Sequence, residues 1–574
     1  MTPGPLEKAD ELTPFPEEGE SKMEEKTTGT CASEIEWREE CLRRYKDAAG
    51  KLESFSDSGI PLKPVYTPAD VEGIGDEEIG MPGVYPYTRG ADPLGYRFDP
   101  IKSFMFFGFG LPEDTRKRMD LYLQTPGASQ LLIAVDMPTY YGYDPDHALA
   151  RGRVGQVGTS VCNMEDLAKL LNDVPLDKVR VGINAPFATA PMMALYIAYA
   201  ETRGYSPEQL KGEAINRLFK AAWGFHPCFP ADAAVKCMAE VARFCCRNMP
   251  DWGPLMLDGY IVREQGGNAI HELAFTLATS IGITERVMAG GVSADEFLSK
   301  VSFKLNGGID FFEEIAKFRA FRKTWAKVNS ERFGCKDPRS LRPEVVIVQT
   351  AGASLPAQQP LNNIARVTIE TLAAVLGGAH FVDPAAYDEA LSIPTEESET
   401  IALRTSQILF HEANIKNVTD PLAGSYYVEH LTRRIEKEVY EMLDVIQKRG
   451  GLVKCWEDGW FRHQIEAEAY KWKKMVEKKE KIVVGVNEYV MENELEVPVF
   501  RVDPVVEDVM LKRLVEFKQK RDNAKVSESL ARLRESAGVD DELMPALIRA
   551  ARAGATLGEM MEVMRGVYGW RVYS

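Results

Sequence analysis

VVIVQTAGASLPAQQPLNNIARVTIETLAAVLGGAHFVD, residues 345–383, decides the fold. It opens on a β-branched run at 345–349 and passes through a loop rich in Gly, Ala and Pro. Apolar residues then recur at helical spacing over 361–376, and Gly377-Gly378 stops that helix. A second short apolar run follows at 379–383. Strand, helix and strand in close succession form a β-α-β unit, the connection that parallel strands require.

Working outward, the same grammar repeats. Candidate strands lie at 104–109, 130–136, 179–184, 213–216, 255–260 and 301–304, with helical patterns at 164–171, 192–202, 231–248, 269–279 and 311–328. Eight strands, each followed by helix, predict an α/β fold of the (β/α)8 TIM barrel type over 104–415. An open doubly wound sheet is the alternative, but no G-x-G-x-x-G follows any strand. Several strands end on a polar residue: Asp136, Asn184, Asn216, Tyr260 and Gln349. Barrel chemistry sits at strand C-termini, so these residues mark the expected active face.

The flanks read differently. Residues 1–32 form an acidic tail expected to be disordered, and 33–103 a first helix followed by an extended, wrapping N-terminal arm. Ser33-Glu34-Ile35-Glu36 has the form of a capping box that starts the helix. After Thr395 helical periodicity dominates, at 395–411, 428–448 and 462–479, with a short strand expected at 481–486. The divisions expected are a helical extension at 416–497 and, at 498–574, a linker and C-terminal helical region.

Composition excludes several functions. A net charge of -17 repels a phosphate backbone, so nucleic acid is not an expected partner. No apolar run approaches the roughly 20 residues that span a bilayer, so no membrane role is expected. The nine cysteines include no C-x-x-C pair, which fits reduced thiols in a cytoplasmic protein. No H-E-x-x-H, G-x-S-x-G or clustered histidine set supports a hydrolase or a metal site.

Seven phrases carry a resemblance. They are DMPTYYGYDPDHALARGRVGQVG (136–158), DGYIVREQGG (258–267), DFFEEIAKFRAFRKTWAKV (310–328), QTAGASLPAQQPLNNIARVTIETLAAVLGG (349–378), YDEALSIPTEES (387–398), DPLAGSYYVEHLT (420–432) and IVVGVNEY (482–489). From about Tyr85 onward the chain resembles the large, catalytic subunit of the methylmalonyl-CoA mutase family. The resemblance implies an isomerase acting on acyl-CoA, with a barrel threaded by the coenzyme A arm and adenosylcobalamin docked on its mouth. That cofactor supplies the radical for a 1,2-rearrangement, while the protein positions and shields. The family's D-x-H-x-x-G signature for cobalamin is absent around all seven histidines. A split enzyme is therefore implied, like the isobutyryl-CoA or 2-hydroxyisobutyryl-CoA mutases. Its partners would be a small cobalamin-binding subunit, in a heterotetramer, and a GTP-binding chaperone.

Matched position by position, the family implies roles for particular residues. Arg89 would lie along the coenzyme A path, and Asp92 stands where the match places a substrate-wedging aromatic. Tyr260 and Gln349 match active-site positions, while Ile261 replaces the histidine that guides cobalt–carbon cleavage. Glu264 and Glu389 match acids beside the adenosyl group, with Ala385 in place of a neighbouring Asn and Ile347 in place of a histidine. Asn216 follows Ile215 where the family has glutamine, and Ser302-Phe303-Lys304 puts a lysine where an apolar wall is usual. Asp92 and Lys304 are expected to pair. The arginine that clamps the methylmalonyl carboxylate falls near 223–225, where this chain is short and apolar. A substrate other than methylmalonyl-CoA is implied, with a more hydrophobic migrating group. A non-catalytic paralogue that binds acyl-CoA or a cobalamin subunit is the competing expectation.

Overall fold

Parallel strands leave no edge when each one pairs on both sides. In the computed structural model the strands are β1 (Lys102–Ser103 and Phe106–Phe107), β2 (Gln130–Ala134), β3 (Arg180–Asn184) and β4 (Gly212–Glu213). They continue as β5 (Trp252–Gly253 and Met256–Asp258), β6 (Ser302–Gly307), β7 (Val345–Thr350) and β8 (Phe381–Asp383). The structure describes residues 34–45, 52–98, 102–103, 106–123, 130–224, 226–343, 345–492 and 496–572. Successive strands pair in parallel throughout. The two pieces of β1 and of β5 close the ring. Phe106 pairs Leu132 of β2 while Ser103 pairs Val382 of β8, and Trp252 pairs Gly212 of β4 while Met256 pairs Ser302 of β6. This is the (β/α)8 barrel that the alternation predicts.

Period-two alternation divides each strand's side chains between two environments. Leu131, Ile133, Val181, Phe303, Leu305, Val346 and Val348 pack outward into the large core beneath the helices. Each buried side chain of this kind stabilises by roughly 1.5–3 kcal/mol. The surrounding helices include Met164–Leu171, Thr189–Thr202, Ala231–Asn248, Ala269–Ala289, Phe311–Phe333 and Asn363–Leu376.

Element boundaries depart from expectation where polar residues occupy the interior. β6 runs on to Gly307, because Lys304 and Asn306 face the axis and do not end the strand. β5 stops at Asp258, and Tyr260 opens the helix Tyr260–Glu264. β4 is only two residues long. A Cβ on Gly212 would fall 2.0 Å from the Val181 carbonyl oxygen and 2.6 Å from the Trp252 ring, so only glycine fits this crossing. The strand expected at 481–486 is a turn. Asn487 accepts from the Val483 N–H and donates to the Val476 and Lys481 carbonyls, each at 2.8 Å, leaving one isolated bridge.

Helices Val505–Lys520, Asn523–Ser536, Leu543–Arg552 and Leu557–Tyr568 follow the barrel, and the last two pack on Thr189–Thr202. Asp144 ties them down by accepting from the Thr556 hydroxyl at 2.5 Å and the Gly558 N–H at 2.8 Å. Near the N-terminus, Glu34–Arg44 is a helix with acids in its first turn and arginines in its last, the arrangement its dipole favours. The expected cap at Ser33 lies outside the described residues.

Candidate active site

Inward-facing side chains stack in three layers along the barrel axis. At the N-terminal end Glu213 accepts from Gln130 Nε2 at 3.1 Å and from the Ser302 hydroxyl at 2.8 Å. One step toward the mouth, Leu132, Ile215, Met256 and Ile347 form an apolar cluster with Phe106, Val345 and Phe381. None of the first four keeps more than 1 % of its surface. Gly182 makes the room: a Cβ there would fall 2.4 Å from Leu132 Cδ2 and 3.5 Å from Ile215 Cδ1. The axis is therefore a packed core, as in most (β/α)8 barrels.

Above the apolar layer the chemistry changes. Arg217 pairs with Asp258 and donates to Asn184 Oδ1 at 2.5 Å. Lys220 stands 3.8 Å from Asp258 and donates to the Tyr140 hydroxyl at 2.9 Å. Lys304, 6 % exposed, places its Nζ 4.4 Å from the Phe106 ring centre and 4.9 Å from that of Tyr260. No hydrogen bond or ion pair reaches that ammonium among the described residues. Burial pulls both lysines down to about 8, against the nearby carboxylates Asp258 and, for Lys304, Asp383. Burial pushes Asp383 up to about 7, opposed by Lys304. Burial also works on Asp258, but Arg217, Lys220 and Lys304 outweigh it and hold that carboxyl low.

At the mouth, Tyr260, Glu264 and Glu389 converge on one point. A Cβ on Gly352 would lie 3.0 Å from Glu264 Oε2, 3.4 Å from the Tyr260 hydroxyl and 3.5 Å from Glu389 Cγ. Glu264 accepts from Asn306 Nδ2 and the Ala353 N–H, both at 2.9 Å, and burial pushes it up to about 7. Burial likewise raises Glu389, with Asp388 adding to the effect. Gln349 pairs in register with both Asn306 and Asp383. Four buried oxygens here lack a hydrogen-bond partner: Asp258 Oδ1, Asn306 Oδ1, Gln349 Oε1 and Asp383 Oδ2. Such atoms cost about 1–3 kcal/mol each in a dry site and point to a polar ligand or ordered water.

The structure therefore gathers Tyr260, Glu264, Lys304, Gln349 and Glu389, with Ser302 two layers below. It separates the others. Phe303 points outward and packs on Phe321 and Trp325, because alternation cannot send both it and Lys304 to the axis. Asn216 donates to the Met238 carbonyl at 2.9 Å, behind the strand. Ile261 packs against the outer core. Asp92 does not meet Lys304. Its carboxylate lies 3.3 Å from His380 Nε2 and 4.0 Å from Arg342, residues that precede β8 and β7 at the opposite end of the barrel. The His380 hydrogen bond holds Asp92 below the usual range. Arg89 lines the same distal cleft and donates to Asp420 at 3.2 Å. The strand-end Asp136 caps Met137–Tyr141 and accepts from the Gly155 N–H at 2.7 Å.

Four chamber residues went unread: Arg217, Lys220, Asp258 and Asp383. Their signal was present as charges in otherwise apolar stretches of the barrel. Of the apolar run near 223–225, Trp223 is wholly buried against Phe219, and Phe225 lies outside the described residues.

Residues 55–570 match the model of the family described as methylmalonyl-CoA mutase. The large subunit of 2-hydroxyisobutanoyl-CoA mutase from Aquincola tertiaricarbonis is 37% identical over 528 residues, covering 91% of this chain and 94% of that one. Methylmalonyl-CoA mutase from Escherichia coli K12 is 34% identical, covering 91% and 73%. The human mitochondrial methylmalonyl-CoA mutase is 33% identical, covering 89% and 68%. With the barrel and its mouth in place, these matches show that the chain belongs to the methylmalonyl-CoA mutase family.

Proposed function

We propose that this chain is the large subunit of an adenosylcobalamin-dependent acyl-CoA carbon-skeleton mutase, an isomerase acting on an acyl-CoA other than methylmalonyl-CoA. The observation that carries the reading is the convergence of Tyr260, Glu264 and Glu389 at Gly352, beside Gln349. The relatives' names supply acyl-CoA thioesters as the starting class of substrate. A nucleoside-bearing group fits this mouth, since Gln349 Oε1 is buried without a donor and two carboxyls face it. Tyr260, Glu264, Gln349 and Glu389 would hold its ribose end, and the bound cofactor supplies the radical chemistry.

The chain's own residues do the rest. Tyr260 and both glutamates are each half-buried at the mouth, so they narrow its access to water. Lys304 offers an ammonium to a substrate oxygen between two aromatic faces. Arg217 is already engaged by Asp258 and Asn184, so it does not form a free two-pronged clamp for a methylmalonyl carboxylate. A small cobalamin-binding subunit in a heterotetramer, a GTP-binding chaperone and a cytoplasmic setting complete the proposal. No helix among the described residues is long and apolar enough to cross a membrane.

Mixing the chain with a small cobalamin-binding mutase subunit and adenosylcobalamin tests this. A stable complex that cleaves the cobalt–carbon bond when substrate is added is expected; failure to form the complex overturns the reading. The non-catalytic alternative is favoured by Ile261, whose alkyl chain cannot replace the guiding histidine. It predicts the complex without cofactor cleavage.

A further inference from the structure

The polar groups inside the barrel mouth are settled on one side and open on the other. Beside β4 and β5, Arg217 pairs with Asp258 and donates to Asn184, and Lys220 donates to the Tyr140 hydroxyl. Against β6, β7 and β8 the pairing stops. Lys304 of β6 is 6 % exposed, and no hydrogen bond or ion pair reaches its ammonium among the described residues. Asn306 Oδ1, Gln349 Oε1 and Asp383 Oδ2 are buried acceptors without donors. These three residues stand in register across β6, β7 and β8, one inward position nearer the mouth than Lys304.

One cationic donor beneath a row of acceptors describes the group that would satisfy them. A carboxylate suits Lys304 but sets a second anion against Asp383 and brings no hydrogen to Gln349 or Asn306. An ammonium repels Lys304. A hydroxyl does both tasks, because its oxygen accepts while its hydrogen is donated. The rings of Phe106 and Tyr260, centred 4.4 and 4.9 Å from the Lys304 ammonium, give apolar surface beside it for a short alkyl chain. Buried polar groups matched to a hydroxyl also reject the analogue that lacks it, since they then stay unpaired.

We propose that Lys304 and Asp383 read a hydroxyl on the acyl group, so that the substrate is a hydroxyacyl-CoA. The hydroxyl oxygen accepts from Lys304 Nζ, and the hydroxyl hydrogen is donated to Asp383 Oδ2. This deepens the acyl-CoA mutase reading, on which it rests, by narrowing the substrate class and naming the two residues that select it.

The test uses the full chain without cobalamin or a second subunit, and calorimetric titration with matched thioesters. The pairs are 2-hydroxyisobutyryl-CoA with isobutyryl-CoA and 3-hydroxybutyryl-CoA with butyryl-CoA; succinyl-CoA supplies a carboxylate. In at least one pair the hydroxylated thioester should bind about tenfold or more tightly, the worth of a hydrogen bond to a charged group. Lys304→Met and Asp383→Leu should each erase most of that preference and leave the affinity for the deoxy partner in place. Equal affinity within both pairs, a preference that survives either substitution, or tightest binding of succinyl-CoA overturns the hydroxyl assignment. Failure of every thioester to bind overturns it together with the acyl-CoA reading, so the two failures are told apart. Complex formation with the small subunit is a separate measurement and does not enter this one.

Discussion

Two buried lysines flank β6, and they live in opposite conditions. Lys317, outside the barrel wall, is wholly buried; its ammonium donates to Glu272 at 2.7 Å, Glu314 at 2.5 Å and the Asn306 carbonyl at 2.6 Å. Lys304, inside the wall, has two aromatic faces and no such partner among the described residues. Folding alone rewards the first arrangement and penalises the second. The difference separates a scaffold from a site: Lys317 has its charge satisfied internally, and Lys304 keeps its hydrogen-bonding capacity open.

Removing the satisfied lysine gives the largest expected effect. Lys317→Met leaves Glu272 and Glu314 buried without their cation, and urea unfolding should show a loss of about 4 kcal/mol. In the apolar layer, Ile347→Ala leaves a cavity where packing is complete, and the same measurement should show a loss of about 3 kcal/mol. Lys304→Met should go the other way, with a gain of about 1 kcal/mol at neutral pH, because an unsatisfied charge leaves a dry site. That gain has a pH signature. Lys304 sits at about 8 when folded, below the 10.5 of a free lysine, so between those values the unfolded chain holds the extra proton. Stability of the unaltered chain climbs as pH rises through that window, and the advantage of Lys304→Met, complete below about pH 8, fades across it. The smallest effect belongs to the distal cleft. Asp92→Asn exchanges a half-exposed ion pair and should change stability by less than about 1 kcal/mol, without altering ligand binding in the chamber.

These same residues show what could be read in advance. The barrel was legible because outward side chains keep one apolar rhythm from β2 to β8. Tyr260, Glu264, Lys304, Gln349 and Glu389 were legible because they lie in or beside long family phrases on neighbouring strand ends. Phe303 was misplaced although strand parity already forbade it from sharing a face with Lys304. Asp92 was misplaced because matching a loop in sequence does not say at which end of a barrel it lands. Arg217 and Lys220 were passed over because a tight turn of buried apolar residues surrounds them. The apolar layer was hidden for a different reason: Leu132, Ile215, Met256 and Ile347 look like ordinary strand residues until the register brings them onto one axis.

The account rests on Lys304 being an open binding group at the polar end of the barrel interior, and its titration tests that most directly. NMR of the chain carrying isotope-labelled lysines, with Lys304→Met assigning the signal, should show this amine titrating near 8, well below the surface lysines. Adding an acyl-CoA that binds should move the titration upward, since an oxygen acceptor beside the ammonium favours the charged form. A Lys304 that titrates with the surface lysines would contradict the account.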